Sequence, residues 1–301
     1  MTTTTAAYTP PVETIPVAEG WSTPINLGPP VNTLGWEDSA FISPDGKTLY
    51  FSYANFDWLT FMISGKRVKT GPDKGLNPTD LCDAMVSQKT DSGWTEPKLL
   101  EINELYVCTD GVVTQDGETM YFSGLKKNNT GGPGKSDIYV SRKQDGKWQQ
   151  EENLGPPVNT NYSEGNPWIS EDGNLLMFES DRPEGKGDSD IWMAEKKDGK
   201  WSEPMNLGKS INSPKKEEQP FMSRDGKMLY FSGDSRKKPG DRVIFLSEKK
   251  DGKWSEPKEV ISNLVGEPTL TSDGKELYFV HIFKTPGGGY NADIMMTKKT
   301  S

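Results

Sequence analysis

The chain has 301 residues, of which only 32% are hydrophobic, and its 35 basic and 44 acidic side chains leave a net charge of −9. That excess of acid argues against nucleic acid and anionic membrane surfaces as partners. No apolar run approaches the ~20 residues needed to cross a bilayer, so no membrane insertion is expected.

Residues 1–19 are rich in Thr, Pro and Ala and show no apolar periodicity, which predicts a flexible tether. They lack the basic start and apolar centre of a signal peptide, so the expected reading is an exported chain whose signal has been removed. A cytoplasmic protein with an irregular start is the alternative. Residues 20–301 are expected to form one domain.

That domain repeats itself. Trp21-Ser22-Thr23-Pro24-Ile25-Asn26-Leu27 opens it and returns as Trp201-Ser202-Glu203-Pro204-Met205-Asn206-Leu207. The phrase Ser43-Pro44-Asp45-Gly46-Lys47-Thr48-Leu49-Tyr50-Phe51-Ser52 recurs, altered, around Asp116-Gly117, Asp172-Gly173, Asp225-Gly226 and Asp273-Gly274. Trp21, Trp94, Trp148, Trp201 and Trp254 are successively 73, 54, 53 and 53 residues apart. A period near fifty, filled with β-branched and aromatic runs, marks a propeller or solenoid. Each repeat reads as four strands. A short strand a leads through an Asp-Gly hairpin into strand b, a longer loop leads to strand c, and a second Asp-Gly turn feeds the Trp-bearing strand d. The fifth repeat ends at Lys298-Lys299 without its Trp strand, while Trp21–Leu27 has no repeat before it. A closed ring pairs these two ends and hides both sheet edges. The expected fold is all-β, a five-bladed propeller of four-stranded blades closed by the N-terminal strand in the last blade. The repeated Trp residues should pack blade on blade, and Asp83, Asp137, Asp190 and Asp293 should satisfy backbone donors at strand c.

Residues 42–52 and Ser180-Asp181-Arg182-Pro183-Glu184-Gly185-Lys186-Gly187-Asp188-Ser189-Asp190-Ile191-Trp192 resemble the TolB-like, WD-type β-propeller repeat of bacterial envelope proteins. The resemblance covers about residues 21–299. It implies a periplasmic or secreted propeller that binds an envelope protein or glycan. Some similar propellers are polysaccharide lyases with a histidine-rich metal site, but this chain has only His281, so that chemistry is not carried over.

All the tight Asp-Gly hairpins fall on one side of the disc, so the longer loops meet on the other, where a site is expected near the channel. Three features mark that face. The first is a set of carboxylates near strand a: Glu37, Asp38, Asp110, Glu164, Glu217, Glu218 and Glu267. Glu37, Glu164 and Glu217 precede their hairpin Asp by eight residues, and Asp110 and Glu267 by six. Such a ring suits Ca²⁺, which takes six to eight oxygens, or a catalytic pair; a solvated acidic rim reads the same residues equally well. The second is the outsized first-blade loop, Tyr53 to Leu81, with Asp57 and Trp58 at its root as a wall for a sugar or an apolar side chain. The third is a set of polar residues on the other long loops, His281 among them. Cys82 and Cys108 are read as two buried thiols, with a disulfide as the alternative because both lie toward one face of neighbouring blades.

No nucleophile motif, phosphate loop or cofactor fingerprint is present, and no cofactor is required. Two functions survive. The first is a non-enzymatic, monomeric binding propeller. The alternative is a glycoside hydrolase or polysaccharide lyase using Glu37, Glu164 and Glu217, which would need two carboxyls about 5–9.5 Å apart, one of them with a raised pKa.

Overall fold

The computed structural model describes residues 8–11, 13–74, 82–100, 110–113, 117–125 and 135–300. Five antiparallel sheets form the ring of a five-bladed propeller, four with strands a to d in sequence order and the fifth completed by the N-terminal strand Ile25–Asn26. The inner strands a are Trp36–Ile42, Asp110–Val113, Glu164–Ile169, Glu217–Met222 and Val265–Leu270. The hairpins follow from local chemistry. Gly46, Gly173, Gly226 and Gly274 have φ between 66° and 71°, and the preceding Asp binds the turn from inside. Asp45, for example, accepts from Ser43 Oγ at 2.6 Å and from the Lys47 amide at 3.0 Å.

The core is a stack of thin layers between blades. One layer joins Leu49, Phe51 and Met85 of blade one to Tyr278, Ile294 and Met296 of blade five. Trp94 meets Tyr278 edge-on at 6.3 Å, and Trp201 meets Tyr121 likewise. These contacts bear out the blade-on-blade role of the repeated Trp. Asp190 accepts from the Lys186 and Gly187 amides at 2.6 and 2.9 Å, the donor-satisfying role expected of it.

Ring closure is as expected. Ile25 pairs with Met296, Asn26 with Met295, and Trp21 forms a bridge to Lys299. Asn32 clamps the neighbouring strand, accepting from the Ile294 amide at 2.9 Å and donating to its carbonyl at 2.8 Å. Asn159 on Ile138 and Asn212 on Ile191 repeat this clamp, so the closing blade is held like its neighbours.

Two expectations change. Tyr8, Ile15 and Val17 of the N-terminal segment lie on the ring. Ile15 is 6% exposed within the blade-four and blade-five core, and Val17 bridges Ile261. Tyr8 Oη donates to Asp293 at 2.5 Å and to Asn26 at 3.1 Å. Isolated apolar residues in a Thr/Pro-rich stretch give no periodic signal, yet each finds a groove between blades. The second change is Cys82, which is disulfide-bonded rather than a free thiol. Cys108, the only other cysteine of the sequence, lies outside the described residues. Among the described residues, no helix is long and apolar enough to cross a membrane.

Candidate functional site

The site is built on a kink shared by the inner strands. In four blades strand a carries one extra residue opposite strand b, a β-bulge. Its centre is Ser39, Asn166, Gln219 or Glu267, with φ of 54°, 45°, 55° and 59°. Backbone strain of this kind costs on the order of 1–3 kcal/mol per residue and persists where surrounding bonds fix it. Here the bonds cross between blades. The Asn166 amide donates to Ser123 Oγ at 3.4 Å, that of Gln219 to Glu179 at 3.0 Å and that of Glu267 to Ser232 Oγ at 2.8 Å. The Ser39 amide donates to Glu267, closing the belt across the junction of blades five and one. Pro167, Pro220 and Pro268 follow the bulge, as suits an inner edge strand with no further partner.

Above this belt, on the long-loop face, lies a funnel of 330 Å³. Asp38, Glu179 and Glu267 supply carboxylates to it, Asn166 and Gln219 amides, and Trp36 and Trp58 an aromatic side. Trp36 Nε1 donates to Asp38 at 2.8 Å, and Gln219 Nε2 to Glu267 at 2.8 Å. Below the belt the channel opens again on the hairpin face into a 490 Å³ cavity walled by Phe41, Trp168, Phe221 and Leu270.

Trp58 reaches the funnel because the first-blade loop folds back on the ring. Its root forms one short helix, α1 (Trp58–Ser64), packed through Phe56, Trp58 and Phe61 with ring centroids 5.4–5.9 Å apart. Asp57 caps α1 by accepting from the Thr60 amide at 2.8 Å, and it also accepts from the Tyr290 amide of blade five at 2.8 Å.

The structure therefore divides the expected residues. Asp38, Glu267 and Trp58 face the funnel together. Asp57 is buried as a cap. Asp110 pairs with Ser123 at the start of strand a in blade two, where the register runs without a bulge, and its side chain is outside the described residues. Glu218 pairs with Arg242 at 2.7 Å. His281 is buried in blade five, 3.5 Å from Glu13 of the N-terminal segment, and its pKa is lowered by burial.

Glu37, Glu164 and Glu217 do not line the funnel. Each is turned into its own blade and binds the hydroxyl and amide of the residue four positions earlier. Thr33 contacts Glu37 at 2.6 and 3.1 Å, Thr160 contacts Glu164 at 2.6 and 2.9 Å, and Ser213 contacts Glu217 at 2.5 and 2.8 Å. Burial pushes all three carboxyls above the usual range. Their shared offset of eight thus reflects a cap repeated within each blade rather than a tier facing the funnel. Among the described residues, no three His, Cys, Asp or Glu side chains are arranged to hold a metal ion.

Glu179, Asn166, Gln219, Ser39 and Trp36 were not expected. A signal for most of them was present, because Ser39, Asn166 and Gln219 also stand six residues before their hairpin Asp, at the offset of Asp110 and Glu267. Attention to acids alone hides that ring.

No protein-family model matches the sequence, and no curated protein matches it. Solved structures do match. The catalytic domain of the GH62 alpha-L-arabinofuranosidase of Coprinopsis cinerea is 10% identical with a TM-score of 0.55, over 95% of this chain and 98% of that one. A protein of unknown function from Dyadobacter fermentans is 13% identical with a TM-score of 0.52, over 94% and 100%. TolB from Acinetobacter baumannii is 12% identical with a TM-score of 0.48, over 88% of this chain and 55% of that one, so this chain spans about half of its length. At these identities the likeness is one of fold. The likeness by itself assigns no activity.

Proposed function

We propose that this chain is a non-catalytic binding propeller of the periplasm or extracellular space, and that the long-loop funnel takes a group presented by an envelope protein or glycan. The observation that carries this reading is the division among the carboxyls. Glu37, Glu164 and Glu217, whose carboxyls burial raises in the direction a general acid requires, face away from the channel. Those that face the channel hold the belt together: Glu179 accepts a backbone amide, and Glu267 accepts one amide from the backbone and one from Gln219. The funnel keeps what a binding site needs, a concave wall with an aromatic side and a few fixed polar groups. The bonded state of Cys82 supports an oxidising compartment.

The experiment is a binding screen of the purified chain against peptidoglycan fragments, polysaccharides and envelope proteins, run beside an assay for new reducing ends and unsaturated products. Binding without turnover, lost in Trp58→Leu, is the expected result. Turnover abolished by Asp38→Asn would replace this reading with the carbohydrate-active enzyme, whose machinery would then be Asp38, Glu179 and Glu267.

A further inference from the structure

The funnel is chemically one-sided. Asp38, Glu179 and Glu267 line it, and no Lys or Arg stands among its described lining residues. Nearby cations are engaged elsewhere. Arg242 is held by Glu218 at 2.7 Å and Lys135 by Asp181 at 3.0 Å, while Lys74 donates to the Pro30 carbonyl at 3.0 Å. The charge of Arg242 also acts on Glu179. Two indole rings stand on the blade-one side. Trp36 is fixed by its bond to Asp38, and Trp58 is partly exposed on the packed root of the first-blade loop.

Aromatic faces and carboxylates around one concavity attract the same kind of guest. An indole face offers negative potential to a cation, and a concave wall of like charges focuses that potential. Anions are repelled from such a wall. A neutral guest gains nothing to offset the desolvation of the carboxylates, whereas an ammonium group gains both contacts. A volume of 330 Å³ lies at the small end of ligand sites, sized for one head group and a short stem.

We infer that the funnel selects an alkylammonium group, primary or quaternary, on the ligand it binds. This rests on the funnel being the binding site proposed above. An amino sugar and a lysine side chain present the same chemistry, so the distinction lies in charge rather than in source.

The test compares a cation with its neutral twin. Choline and n-butylammonium are titrated calorimetrically into the full chain beside 3,3-dimethylbutan-1-ol, which copies the shape of choline without its charge. Choline should bind at least about tenfold more tightly than the alcohol, the ratio expected from one desolvated cation–π contact with a nearby carboxylate. Added salt should reduce that ratio. Asp38→Asn retains an acceptor for Trp36 Nε1 and should bring choline down to the level of the alcohol, while Trp58→Leu should weaken both. Unchanged melting temperatures in the two variants show that the fold is retained. Glucosamine and Nα-acetyl-lysine methyl ester, each against its N-acetylated form, separate the two sources. Equal binding of choline and alcohol overturns the inference, as does failure of both cations to bind at millimolar concentration. If N-acetylated sugars bind and Trp58→Leu abolishes that binding while the cations fail, the binding function stands and ammonium selectivity falls.

Discussion

Glu164 shows how far a buried carboxyl can serve the scaffold alone. It accepts from Thr160, from Ser180 Oγ at 3.0 Å and from Arg182 Nη2 at 3.0 Å, and it is fully enclosed. Glu164→Ala would strand the Arg182 guanidinium, so a stability loss of about 3–5 kcal/mol is expected in urea unfolding. Glu164→Gln still accepts from Thr160 and should lose less. Ligand binding by either folded variant should be unchanged, because the side chain does not face the funnel. Asp293 is the clearest pH probe. Burial lifts its pKa from 3.8 to about 6. Between those values the folded chain holds a proton that the unfolded chain has released, so stability falls as pH rises through that window. The effect amounts to roughly 3 kcal/mol at most for a shift of about two units. Glu37, Glu164 and Glu217 act in the same sense above their usual range, and His281, whose pKa is lowered, acts in the opposite one. The difference between the wild-type and Asp293→Asn melting curves isolates the one group. It should change between pH 4 and 6 and be flat above.

At the scale of elements, the first-blade loop and the N-terminal segment are both held by neighbours distant in sequence. Asp57 ties α1 to blade five, and Gly289 makes the approach feasible, since a Cβ there would stand 2.7 Å from Asp57 Oδ2. Gly289→Ala should therefore cost about 1–3 kcal/mol and weaken funnel binding by shifting Trp58. Gly287→Ala, whose Cβ would meet only Thr285 Oγ1 at 3.9 Å, should do neither. Calorimetric melting with a binding titration reads both effects. The N-terminal segment gives a second test. Ile15 buries an apolar side chain and Tyr8 makes two bonds at the clasp. Deleting residues 1–19 should lower stability by about 2–4 kcal/mol, a burial term for one to two side chains.

For the whole molecule, closure is the decisive long-range pairing. Deleting residues 1–28 also removes Trp21, the Ile25–Asn26 strand and the Asn26 bond to Asp293 at 2.6 Å. That exposes the last sheet edge, and a sharp drop in melting temperature with aggregation is expected, well beyond the effect of the shorter deletion. Equal melting temperatures for the two truncations would show that the N-terminal strand is not the clasp. The same closure brings blade one beside blade five, so Ser39 can meet Glu267 and complete the axial belt.

Architecture was legible because it is written in local, repeated chemistry. An Asp-Gly turn needs positive φ, a strand needs alternation, and five copies with an exchanged end strand leave the ring as the way to bury both edges. The three buried glutamates were legible as a pattern but not as a role. Spacing shows that residues share a tier, whereas the direction of a side chain depends on the bulge beside it. Glu37 and Asp38 are adjacent in sequence, yet one enters the blade and the other the funnel, as neighbouring strand residues do. Glu179 was hidden because it comes from strand b and reaches the axis only by bonding Gln219 of the next blade. The N-terminal segment and the bond at Cys82 depend on partners far along the chain, which carry no periodic signal. Sequence by itself determined the number of blades, their order and the closing strand, since these follow from turns and repeats. Tertiary structure alone decided which polar groups meet at the axis, because that depends on the rotation of each strand and on contacts between blades.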